Sequence, residues 1–336
     1  MTQSRFVDCP GREALIEARS LITSSDRVLI PAHNERPYVG KVIAYLFGVG
    51  FRPEQVVVVD SRSIDDTATI ARSSGVPDGN VVDEAGLFLE KRKGGKSIAE
   101  HVTLRYGVLP DRVCGKGAAM YAGLVKLYLD GWFGSSGRLF LLDADLICPD
   151  APDPIASLLF ALKTSRKTSY AKCTMYQMGA TSGLDKLLAS VPHPDYFHTY
   201  FSLQSLLGGQ VAFRDAQFLL DLRIPTAYAF ELACHFQAVD FYGPEGVALV
   251  NLPSPLEHDK GTLAGYAVMD TLLLEFAVRV ANSRVPLIHY TTSDIQKFNA
   301  HFAGLTVSAR NGPVESTTGR MDLLLPSLRE LARELF

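Results

Sequence analysis

The first half of the chain alternates short apolar runs with stretches of helical period. Residues 28–31 are apolar and end on Pro31, and residues 38–48 then repeat apolar side chains at helical spacing. Residues 55–60 hold four consecutive valines before Asp60, which suits a parallel strand buried on both faces. A second helix is expected over 65–73, with Ser63 or Asp65 as N-cap and Asp66 near its positive end. Residues 81–82 read as a weak third strand. The polar stretch 83–111, which contains Glu90-Lys-Arg-Lys-Gly-Gly-Lys96, is too long for an ordinary strand-to-helix loop. It reads as an ordered insertion, a mobile lid or a solvated loop. Helical period resumes over 117–128, and 138–142 is another buried strand ending at Asp143.

Such a series predicts a parallel sheet with right-handed crossovers, whose ligands collect beyond the carboxyl ends of the strands. Pro31 to Glu35, Asp60 to Ser63 and Asp143 to Asp145 all fall there. The second half is mixed. It predicts an edge strand over 168–176, helices over 213–222 and 230–239, and a strand over 246–252. An amphipathic helix over 323–336 has an apolar face suited to an oligomer interface. No internal repeat or low-complexity tract interrupts the pattern.

Composition narrows the possibilities. The 336 residues, 47% of them hydrophobic, are enough for one large α/β domain or two smaller ones. A formal charge of −3 gives no electrostatic reason to expect nucleic acid or an anionic membrane as partner. Cys9, Cys114, Cys148, Cys173 and Cys234 are odd in number and lack paired spacing, so they read as reduced thiols of a cytoplasmic protein. Arg12, Glu13, Glu17 and Arg19 interrupt any signal-peptide run. The most apolar helical stretch, 263–281, carries Asp270, Glu275 and Arg279 and reads as a core or dimer helix instead of a membrane span.

The strongest chemical signal is Asp143-Ala-Asp145 after an apolar run. The period of a strand puts both carboxylates on one side, where they could not both stay ionised cheaply without a cation. Magnesium and manganese prefer such hard oxygen ligands and complete their shells with phosphate and water. Cys114-Gly-Lys-Gly-Ala-Ala-Met120 opens a helix with glycines that permit close backbone approach and with free amides suited to a diphosphate. It lacks P-loop spacing, and no dinucleotide glycine signature follows the first strand.

Val28-Leu-Ile-Pro-Ala-His-Asn-Glu35 and Val56-Val-Val-Val-Asp-Ser-Arg-Ser-Ile-Asp-Asp-Thr67 resemble the first two strand ends of GT-A fold glycosyltransferases of family 2 and its relatives. The resemblance implies a Rossmann-like, mostly parallel sheet flanked by helices, with a mixed acceptor-binding C-terminal half. It implies that Pro31, Ala32, His33 and Glu35 border the nucleoside, and that Asp60 or Ser61 contacts base or ribose. Gly-Lys-Gly followed by Asp143-Ala-Asp145 looks like the retaining transferases that make glucosyl-3-phosphoglycerate and mannosylglycerate. Their later motifs are similar to Leu207-Gly-Gly-Gln-Val-Ala-Phe-Arg214, Tyr228-Ala-Phe-Glu-Leu232, Thr181-Ser-Gly183 and Val250-Asn-Leu-Pro-Ser-Pro-Leu-Glu-His258.

By this resemblance, Lys116, Asp143 and Ala144 complete the donor site, and Asp145 and His258 bind Mg2+ or Mn2+. Glu231 and Lys116 serve catalysis, and Thr181, Gly208, Gly209, Gln210 and Lys260 line the acceptor side. The implied organisation is a helical N-terminal segment (1–25), a nucleotide-sugar-binding region (26–150), an acceptor-binding region (151–310) and a helical tail (311–336). The implied activity is retaining transfer of a hexose from a nucleoside diphosphate sugar, UDP-glucose before GDP-mannose, to a small anionic acceptor such as 3-phosphoglycerate. A sugar-phosphate nucleotidyltransferase and a non-catalytic sugar-nucleotide-binding homologue are the alternatives. Gln210 stands where the family has glutamate, Leu256 where it has arginine, and Arg36-Pro37 replaces an acidic continuation.

Overall fold

A computed structural model describes residues 5–106, 115–146, 153–175, 209–224, 226, 230–252 and 325–336. Eight strands form one sheet: β1 (Arg5–Asp8), β2 (Arg27–Ala32), β3 (Val56–Asp60), β4 (Val81–Asp83), β5 (Leu139–Leu141), β6 (Tyr170–Met175), β7 (Val211–Phe213) and β8 (Val247–Leu252). Their order is β1-β8-β6-β7-β5-β2-β3-β4. Every pairing is parallel except those of β7, which runs antiparallel to β5 and β6.

The sheet is buried on both faces, which explains its uninterrupted apolar strands. In β3, Val57 and Val59 join the core on one side while Val56 and Val58 join the core on the other. The first core is covered by α4 (Glu84–Leu89), α5 (Ile98–Tyr106), α6 (Lys116–Leu129), α8 (Ala216–Asp221), α9 (Phe230–Tyr242) and α10 (Leu328–Leu335). The second is covered by α1 (Arg12–Arg19), α2 (Val39–Val49), α3 (Thr67–Ser73) and α7 (Pro154–Thr164). From β2 the chain steps outward to β3 and β4, whereas β5 lies on the opposite side of β2. The carboxyl ends of β2 and β5 therefore flank a switch point, the crevice where open α/β sheets take ligands.

Several expectations are corrected. The segment 1–25 is not wholly helical, because β1 precedes α1 and pairs in parallel with β8. The strand expected over 168–176 at an edge lies inside the sheet, between β8 and β7. Its Lys172 gives it the look of an edge, yet Tyr170, Ala171, Lys172 and Cys173 are all buried. The helix expected over 213–222 begins only at Ala216, because 211–213 is spent on β7. Of the readings offered for the polar stretch after β4, the structure shows the ordered one as far as Tyr106, as α4, a short turn and α5. In α10, Leu328, Leu331 and Leu335 are buried within the chain's own core, against α6 and α8, and not at an oligomer interface. No described helix is long and apolar enough to cross a membrane; residues 263–281 lie outside the described residues.

Candidate active site

The first strand ends are zipped together. In-register pairing brings Ala32 level with Asp60. Beyond it, the Asn34 side chain accepts from Ile64 N at 2.8 Å, Ser63 Oγ accepts from Asn34 N at 2.9 Å, and Thr67 Oγ1 accepts from Glu35 N at 2.8 Å. His33 Nδ1 lies 2.6 Å from the Ser61 carbonyl. The helix expected from Asp65 starts at Thr67, where the Asp65 carboxylate takes the amide of Thr67 at 3.0 Å; Ser63 is committed to Asn34 instead of capping. Asn34 and Arg62 are the two non-glycine residues with positive φ, 58° and 59°, among the described residues. Such conformations cluster at sites where the surroundings hold them.

The second part of the site lies at the end of β5. The strand stops at Leu141, so Asp143 and Asp145 sit in the turn beyond it and not on strand positions. Both are buried, at 7% and 5% exposure. Gly115, in a left-handed conformation at φ 112°, precedes Lys116, the first residue of α6. Lys116 Nζ meets Asp143 Oδ1 at 2.6 Å and Glu231 Oε1, from the first turn of α9, at 2.5 Å. One lysine thus links the two acids across three elements. The amide of Ala118, in the first turn of α6, donates to the Thr226 carbonyl at 2.9 Å.

The third contribution comes from β7. Its antiparallel register pairs Leu141 with Val211, and continuing it two residues sets Gly209 opposite Asp143. A Cβ on Gly209 would lie 2.2 Å from both Asp143 oxygens, so only glycine fits. Gln210, fully buried, donates through Nε2 to Asp143 Oδ2 at 3.2 Å. An amide here gives Asp143 a donor where glutamate would set a second acceptor against it.

Of the expected site residues, Lys116, Asp143, Gly209, Gln210 and Glu231 converge, with Ala144 and Asp145 buried beside them. Pro31, Ala32, His33, Glu35, Asp60 and Ser61 form the neighbouring strand-end group. Thr181, Gly208, His258 and Lys260 lie outside the described residues. Among the described residues no group of three potential metal ligands stands together. The two buried carboxylates Asp143 and Asp145 offer hard oxygens that suit a divalent cation.

Among the buried ionisable residues that escaped the sequence reading, Lys172 and Glu84 lie nearest these strand ends. Lys172, on β6, is 1% exposed. Burial lowers its proton affinity, an effect opposed by the negative charge of Glu231. A lysine in an otherwise apolar run was the available signal. Glu84, which follows β4, is fully buried, and burial pushes its carboxyl up to about 7. It was hidden in a stretch read only as polar.

Comparison with family models and with curated proteins returns no match. Among solved structures the chain is similar to mannosyl-3-phosphoglycerate synthase from Rubrobacter xylanophilus, with a TM-score of 0.62 and 19% identity, over 85% of this chain and 84% of that one. It is also similar to glucosyl-3-phosphoglycerate synthase from Mycobacterium tuberculosis in complex with Mn2+, UDP and phosphoglyceric acid. That TM-score is 0.59 at 23% identity, over 82% of this chain and 85% of that one. The same enzyme in complex with Mg2+ and UDP matches with a TM-score of 0.57 at 22% identity, over 82% and 86% of the two chains. These likenesses concern architecture, and with the eight-stranded sheet they give the chain the GT-A glycosyltransferase fold.

Proposed function

We propose that the chain is a metal-dependent glycosyltransferase that moves a hexose, with retention, from a nucleoside diphosphate sugar to a small anionic hydroxyl acceptor. UDP-glucose and 3-phosphoglycerate are the leading pair. The observation that carries this reading is Lys116, bound to Asp143 and Glu231 at the switch point of a GT-A sheet. A preorganised cation in a buried site is worth most where negative charge develops, here on the departing diphosphate. The two carboxylates hold Lys116 ready for it. Glu231 then faces the sugar and acceptor hydroxyls and orients them.

In the transfer the bond from the anomeric carbon to the diphosphate oxygen breaks, and one to the acceptor oxygen forms on the same face. The hydroxyl proton passes to the departing phosphate oxygen. Asp145 and His258 would hold Mg2+ or Mn2+, which supplies Lewis-acid neutralisation of the diphosphate. Pro31 to Glu35 with Asp60 and Ser61 would receive the nucleoside, and Thr181, Gly208, Gly209, Gln210 and Lys260 the acceptor. A donor-and-acceptor screen read by mass spectrometry tests the reading. A glycosylated phosphoglycerate is the expected product. Pyrophosphate release from a nucleoside triphosphate would identify a nucleotidyltransferase instead.

A further inference from the structure

Glu84 sits directly after Asp83, the last residue of β4, and β4 is level with β3 so that Asp83 pairs with Asp60. An acid at a helix start ordinarily serves the free amides there. In α4 that task belongs to Asp83, whose carboxylate accepts from the amide of Ala85 at 3.0 Å. Glu84, with no exposed surface, turns instead towards the loop after β3. Its Oε2 accepts a short hydrogen bond from Ser61 Oγ, and its Oε1 lies 3.9 Å from Arg62 Nε. Oε1 and Asp60 Oδ1 are buried and take no hydrogen bond among the described residues. On the other side of this loop, Asn34 and His33 hold Ile64 and Ser61. Arg62 is therefore kept at positive φ between two sets of contacts, only one of which the motif at Asp60 announces.

We propose that Glu84 is a positioning residue of the donor site, holding Ser61 and Arg62 from beneath in the arrangement that receives the nucleoside, so that its charge governs nucleotide affinity. The inference rests on the nucleotide-sugar reading given above. The charged groups facing Glu84 are Arg62 from the loop after β3, Asp60 from the end of β3 and Asp83 from the end of β4. Among the described side chains of the helices packed on α4, Glu100 pairs with Lys91, His101 with Glu334, Lys116 with Asp143 and Glu231, and Lys126 with Asp130. From α6, Tyr121 sets its ring against Phe88. With the carboxyl pushed up to about 7 by burial, and pulled back by Ser61 and Arg62, both charge states are reached near neutral pH. Ionised, Glu84 draws the guanidinium of Arg62; neutral, it does not. Nucleotide affinity accordingly rises as pH rises through this range.

Calorimetric titration of UDP with Mg2+ into the full chain, at pH values about one unit either side of neutral, tests this. The wild-type protein is compared with Glu84→Gln, which keeps an acceptor for Ser61 and removes the charge. The phosphates of UDP titrate alike in both experiments, so the difference isolates Glu84. We expect wild-type affinity to exceed that of Glu84→Gln by roughly five- to tenfold on the alkaline side, the scale of one charge-assisted contact, and to converge with it on the acid side. Arg62→Ala should flatten the same pH step. Inorganic pyrophosphate with Mg2+, whose binding engages Lys116 and not the nucleoside end, should bind all three proteins alike. Equal UDP affinities of wild type and Glu84→Gln on both sides of neutral would overturn the proposal, as would parallel loss of pyrophosphate binding. If wild type binds pyrophosphate but neither UDP nor GDP, the nucleotide reading falls and this inference falls with it.

Discussion

Lys116 offsets the repulsion between Asp143 and Glu231, and it is largely buried between them. Truncating one member of such a group leaves the others uncompensated, which costs more than the group contributes when intact. Lys116→Met should therefore lower stability by about 3 kcal/mol in urea unfolding and reduce kcat by about a hundredfold or more. Gly209→Ala acts by shape alone. Its new methyl would occupy the place of the Asp143 carboxylate, so that side chain must leave Lys116 and Gln210. The expected result is loss of transfer activity with a fall in stability of roughly 1–3 kcal/mol, read by turnover and thermal melting together. Glu84 gives a signature of opposite kind. Its folded-state affinity for a proton is raised, from 4.5 to about 7. Its stabilising contribution is present in full below the unfolded value and is lost as pH rises through the folded one. Urea unfolding should show wild type losing on the order of 3 kcal/mol relative to Glu84→Gln across that window.

At the level of elements, the legible parts were those whose pattern has one meaning. Four valines in a row leave no face for water, and β3 lies where they predict it. Helices α2 and α6 lie within a residue or two of their apolar period. The short β7 could not be read, because three residues carry no period and only pairing with β5 and β6 makes them a strand. That pairing is also what carries Gly209 and Gln210 to Asp143, so the geometry of the site was hidden where the strand was. Lys172 and Glu84 were missed for a related reason: a charge signals exposure until a buried partner is known. The C-terminal helix shows the reverse error. Its leucine stripe is amphipathic whether the covering surface is another copy or the same chain. In the structure it is α6 and α8, with the Ser327–Glu330 capping box fixing the start of α10. Leu331→Ala should thus cost about 2–5 kcal/mol in thermal or urea unfolding and leave the oligomeric state by light scattering unchanged.

Across the whole molecule, the carboxyl end of β5 and the starts of α6 and α9 bring Asp143, Asp145, Lys116 and Glu231 into one crevice. In the proposed function Asp145, buried beside Asp143, is the carboxylate assigned to the divalent cation that comes with the donor. A diphosphate entering this crevice brings negative charge to a place already holding three buried or half-buried acids. Lys116 and the buried Lys172 together do not balance three acids and a diphosphate, and an unbalanced charge in a low-dielectric site weakens binding steeply. Nucleotide binding should accordingly require Mg2+ or Mn2+. Asp145→Ala is expected to fold, which thermal melting checks. It should nevertheless lose about a hundredfold or more in UDP affinity at a fixed metal concentration. Calorimetry with each metal, repeated in excess chelator, gives the answer directly. If UDP binds to wild type equally well in chelator, or to Asp145→Ala as tightly as to wild type, then Lys116 suffices for the diphosphate and the metal-dependent reading is wrong.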